Sequence, residues 1–69
     1  MDNLLKRFGE RLRTVRLRKG HSQEKLAALA GLHRTFVSSV ERGERNISLL
    51  NIARLARALE IPLSSLMPS

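Results

Sequence analysis

Gly31 stands between two short amphipathic patterns, and this arrangement limits the fold more than any other feature of the 69 residues. On its N-terminal side, Leu26, Ala27, Leu29 and Ala30 gather on one side of a helix. On its C-terminal side, Phe36, Val37 and Val40 recur at three- and four-residue steps. Glycine, lacking a Cβ, supplies the permissive backbone that a tight helix-to-helix turn needs. Two helices joined by one turn are therefore expected over residues 22–42. In the second of them, Arg34, Thr35, Ser38 and Ser39 fall between the apolar positions and project from the outer face. Their short or forked hydrogen-bonding groups suit the edges of nucleic-acid bases.

The flanking sequence supplies what such a pair of helices packs against. From Leu4 to Lys19, the residues Leu4, Leu5, Phe8, Leu12 and Val15 keep helical spacing, with basic residues on the other faces. Gly20 is placed to end that helix in a left-handed conformation. Ser22 can cap the next helix, and Glu24 complements its dipole; Lys25 at the third helical position leaves the capping box incomplete. His33 precedes the second helix of the pair where Ser or Thr would cap better. After Gly43 the stretch 44–47 is polar and irregular, Ser48 can cap a further helix, and Ile47 and Ile52 have staple spacing around it. Leu49, Ile52, Leu55, Ala56 and Leu59 carry that helix to about Glu60, where Pro62 restricts Ile61 to extended backbone. Leu63 to Met67 can add one helical turn.

These readings give one all-α domain over residues 1–69, close to the lower size at which a core alone supports folding. With no cysteine, neither a disulfide framework nor a thiolate metal site is available, and a cytoplasmic setting is compatible. The charged N-terminal turns and the lack of a long apolar run predict no signal peptide and no membrane span. Thirteen Lys and Arg against six Asp and Glu leave a net charge of +7, which favours a polyanionic partner. Catalysis is disfavoured: His21 and His33 are the only histidines, no carboxylate pair has motif context, and Ser38 and Ser39 have no identifiable base. No cofactor, metal or small-molecule ligand is expected.

The segment GERLRTVRLRKGHSQEKLA followed by AGLHRTFVSSVERGERNISLLNIARLARAL resembles the helix-turn-helix family of phage repressors and Cro proteins, over nearly the whole chain. SQEKLA opens the first helix of the motif, AGL forms the turn, and VERGERNIS closes the second helix. Within that group, LHRTFVSSVERGERNISL is similar to the controller proteins of restriction-modification systems. Antitoxins and small phage repressors share most of the frame. The resemblance implies a compact five-helix repressor-like domain that regulates transcription by binding double-stranded DNA.

It also implies roles for individual residues. Ser22 to Ala30 would cross the DNA backbone, and His33 to Arg42 would lie in the major groove. There, Arg34 can present two parallel donors to a guanine, and Thr35 suits a thymine edge or a phosphate. Ser38, Ser39 and His33 complete the base-reading set, although small hydroxyls are also ordinary fillers of a solvated face. Gln23, Arg42, Arg45 and Asn46 would hold the backbone, with Arg45 also able to approach bases and Glu44 tempering the local charge. Arg16 and Glu41 match positions that form a buried structural ion pair. Lys6, Arg7, Arg11, Arg13, Arg18, Arg54 and Arg57 are read as a solvated, steering face.

A two-fold operator requires two copies of the chain. Ile61, Leu63, Leu66 and Met67 are the candidate dimer surface, the alternative being that they close the monomer core. The expected partners are thus a symmetric DNA operator, a second copy and RNA polymerase. An antitoxin that neutralises a toxin and regulates its own synthesis is the competing function, and neighbouring genes would separate the two.

Overall fold

The computed structural model describes residues 3–68, so the extreme ends of the domain assigned to residues 1–69 lie outside the described residues. Four α-helices follow one another: α1 (Leu4–Arg18), α2 (Gln23–Ala30), α3 (Arg34–Glu41) and α4 (Leu49–Ala58). A single 3-10 turn, Leu63–Ser65, closes the chain, and no strand occurs among the described residues. The fifth helix of the expected bundle is therefore one turn only. Pro62 and Pro68 bracket five residues, too few to repay the cost of nucleating an α-helix.

Local signals act where the sequence places them. The Ser22 hydroxyl accepts from the Lys25 N–H at 3.0 Å, and the Ser48 hydroxyl accepts from the Asn51 N–H at 3.1 Å. His33 starts α3 from an extended backbone without a side-chain cap. At Gly31 the backbone is left-handed (φ 70°), and the Leu32 N–H returns to the Ala27 carbonyl at 2.9 Å, so α2 stops and the chain reverses within three residues.

The core is built from one stripe of each helix: Phe8, Leu12 and Val15 from α1; Leu26, Ala27 and Ala30 from α2; Val37 and Val40 from α3; Ile52, Leu55 and Ala56 from α4. Leu59 and Leu66 complete it. α3 packs on α1 and α2, α2 packs on α4, and the final turn packs on α4. The approach of α1 to α3 is closer than a side chain permits. A Cβ on Gly9 would lie 2.4 Å from the Val40 carbonyl oxygen, so this glycine lets α1 meet the backbone at the end of α3.

The tail corrects the expected dimer surface. Leu66 is fully buried and Ile61 is packed against the core, whereas Leu63 and Met67 remain exposed. The 3-10 turn folds Leu66 inward, and Arg11 secures it by donating from Nε to the Ser65 carbonyl at 2.8 Å. Arg11 thus ties α1 to the tail, a role that its place in a basic stripe does not reveal.

Candidate nucleic-acid interface

α3 carries the candidate site because its two faces have separate tasks. Val37, Val40 and Glu41 face inward, while Arg34, Thr35 and Arg42 are exposed and Ser38 and Ser39 are half-buried. With its side chains an α-helix is about 10–12 Å across, which fits the width of a B-DNA major groove of about 12 Å. His33 lies exposed at the N-terminal end of α3, next to Arg34.

The far end of α3 is fixed by a buried ion pair. Arg16 of α1 donates from Nε to Glu41 Oε2 at 2.6 Å and from Nη2 to Glu41 Oε1 at 3.0 Å. Its Nη1 reaches the His21 carbonyl at 2.9 Å. Gln23 Nε2 donates to the same carboxylate at 3.1 Å, so one acid joins the end of α1, the start of α2 and the end of α3. No buried side-chain polar atom of the described residues is left without a partner, which is the condition for such a network to give a defined arrangement. The expected structural role of Arg16 and Glu41 is what their geometry shows. Gln23 is more than a first-turn polar residue: it is half-buried on Glu41, and its amide keeps a second N–H for another acceptor.

Side chains along the outer face of α3 are linked to one another. Arg42 lies back along the helix, donating from Nη1 to Ser38 Oγ and from Nη2 to Ser39 Oγ at 3.4 Å. Its Nε donates to Glu44 Oε1 at 3.0 Å. The Ser39 hydroxyl in turn donates to the Thr35 carbonyl at 2.9 Å. Beyond α3, the Arg45 guanidinium sits 5.3 Å from the centroid of the Phe36 ring, a cation–π stack that holds the arginine beside Thr35 and Ser39. Asn46 accepts the Ile47 N–H at 2.9 Å through Oδ1, which leaves its amide hydrogens outward.

The family model for helix-turn-helix proteins matches residues 12–66. The chain belongs to the helix-turn-helix family. Its relatives include the control protein C.BamHI of Bacillus amyloliquefaciens, 48% identical over 61 residues that cover 87% of this chain and 75% of the relative. The control protein C.MunI of a Mycoplasma species is 43% identical, covering 96% of this chain and 90% of the relative. Among solved structures, the restriction-modification controller protein C.AhdI from Aeromonas hydrophila superposes with a TM-score of 0.90 at 56% identity, covering 91% of this chain and 96% of that one. This member of the family is a DNA-binding transcriptional regulator, not an enzyme.

The fold brings Arg34, Thr35, Ser38, Ser39 and Arg42 onto one surface of this regulator, with His33 at the start of α3 and Arg45 beside Thr35 and Ser39, while Asn46 lies farther along the loop in a cleft with Leu4, Ile47 and Met67. Two contributors to that surface are not evident from the sequence. Phe36 reads as core, yet it is half-buried and supports Arg45. Glu44 reads as a local reduction of charge, yet it binds Arg42. Both pairings depend on the path of the loop after Gly43, and no periodicity encodes that path.

Proposed function

We propose that this regulator binds double-stranded DNA sequence-specifically as a homodimer and serves as the controller of a restriction-modification system. The observation that carries the reading is α3 itself, a rod of major-groove width whose outer face presents Arg34, Thr35, Ser38 and Ser39 while its inner face is locked in the core. Similarity to C.BamHI, C.MunI and C.AhdI supports the controller assignment over the antitoxin and phage-repressor alternatives.

In this reading Arg34 forms a bidentate pair with a guanine, Thr35 meets a thymine methyl or a phosphate, and Ser38, Ser39 and His33 fill the remaining base edges. Gln23 turns its second N–H to a phosphate at the start of α2, and Arg42, Arg45 and Asn46 hold further backbone positions. Gln23 and Arg42 at the end of α3, with Arg45 beside Thr35, fix the angle at which the helix enters the groove.

The second copy docks on the apolar face that surrounds a cleft of about 100 Å³ lined by Leu4, Leu5, Phe8, Ile47, Ile52 and Met67. Leu4 and Met67 of this lining are exposed, and Leu49, Leu50 and Leu63 add to the apolar surface that the domain leaves in water. Two α3 helices related by the resulting two-fold axis meet half-sites about 34 Å apart. Occupancy represses by covering promoter elements or activates by touching RNA polymerase, according to operator position.

Footprinting over the DNA upstream of its own gene tests the reading. Protection of two symmetric half-sites at submicromolar protein is expected; uniform protection without half-sites contradicts it.

A further inference from the structure

Three of the five N–H donors of Arg42 are occupied within the protein, by Ser38 and Ser39 on α3 and by Glu44 beyond it. Residues two apart do not face each other on a helix, so an Arg42–Glu44 pair requires the chain to turn back between them. Gly43 makes that turn with φ 72°, and the Glu44 N–H is anchored to the Ser39 carbonyl at 3.0 Å. The backbone that presents the carboxylate is therefore fixed to the helix that presents the guanidinium. All three contacts involve the charged guanidinium, but only the one to Glu44 pairs opposite charges, so Glu44 contributes most to keeping Arg42 in place.

We propose that Glu44 is a positioning residue for specificity: it holds Arg42 against Ser38 and Ser39, so that Arg42 meets the DNA from one fixed place on the recognition surface. The inference rests on the sequence-specific reading above. Two N–H donors of the guanidinium remain for the DNA, and they are aimed by the helix. An arginine without this tether sweeps a wide volume and reaches a phosphate in any register, which adds affinity without discrimination. A tethered one reaches its acceptor only when α3 is seated on matching base pairs, and a contact of that kind fixes register.

Glu44→Gln and Glu44→Ala separate tethering from charge. Both remove the negative charge, but the glutamine amide oxygen can still accept the Arg42 Nε–H. For the full chain at one stated ionic strength, fluorescence anisotropy would compare affinity for the duplex recovered by selection with affinity for a random duplex. For Glu44→Ala, the ratio of the two affinities is expected to fall about three- to fivefold, the upper part of the range an exposed ion pair provides, chiefly because random-duplex binding strengthens. Glu44→Gln should keep the ratio within about twofold of wild type, because loss of the negative charge strengthens binding to both duplexes alike. Equal ratios in the two variants, whether preserved or reduced, would overturn the proposal, because tethering would then have no effect distinct from charge. Wild-type protein that does not distinguish the two duplexes would instead overturn the sequence-specific reading itself. Residue 44 is exposed, so thermal melts of both variants should match wild type and a folding defect cannot mimic the result.

Discussion

At the scale of single residues, the recognition surface depends on which donors are free and which are already used. Arg34 has an exposed guanidinium at the start of α3, whereas Arg42 is held by three partners at its end. The two arginines should therefore behave differently when removed. Arg34→Ala is expected to relax preference at one base pair in each half-site, with a loss of about 1–3 kcal/mol for the preferred base and little change for other sequences. Binding to a panel of single-base-pair variants of the operator measures this, and an unchanged pattern would remove Arg34 from the base-reading set. The exposed positions at which helical spacing sets side-chain direction could be read from the sequence. Contacts that cross a loop, Arg45 on Phe36 and Arg42 on Glu44, could not, because they follow from the conformation after Gly43.

At the scale of elements, most of the organisation was evident beforehand. Ser22 and Ser48 cap the helices they precede, Gly20, Gly31 and Gly43 take left-handed backbone, and each of the four helices sends an apolar stripe into the core, although Leu4, Leu29 and Leu49 at the stripe margins stay exposed. The fifth element was overestimated as a helix, since a resemblance conveys the number of elements better than the length of the last one. The junction of α1 with α3 is the most sensitive. Glu41→Ala leaves Arg16 buried without its partner, a loss of about 3–5 kcal/mol and comparable to the whole stability of a domain this small. Circular dichroism should show the variant largely unfolded, and with it DNA binding lost. Replacing both partners with apolar residues of similar volume, Arg16→Met with Glu41→Leu, should restore the melt toward wild type, because the paired charges are then absent together. Gly9→Ala tests the same junction from the backbone. Helix propensity alone would add about 1 kcal/mol, but a Cβ against two carbonyl oxygens costs about 3 kcal/mol, so a net loss near 2 kcal/mol is expected in chemical denaturation.

At the scale of the whole molecule, the proposed homodimer depends on which apolar side chains the folded domain leaves exposed. Leu66 and Met67 are neighbours in sequence with opposite tasks, the first fully buried and the second 45% exposed. Leu66→Ala is expected to cost about 2–5 kcal/mol of folding stability. Met67→Lys should leave the melt of the monomer nearly intact while shifting the dimer to monomer in equilibrium sedimentation. Apolar composition marked the tail as significant, but only the inward fold of the 3-10 turn separates its core residue from its surface residues. The net charge of +7 acts at this scale also, raising encounter rates and making affinity for any duplex fall as salt rises.

A pair of α3 helices is proposed to read base sequence, beyond the attraction of charge for phosphate. Selection from a random duplex library at physiological salt tests it most directly. A two-fold symmetric consensus with half-sites about 34 Å apart is the predicted result. Recovery of unselected sequence, with binding that vanishes as salt rises, would contradict it.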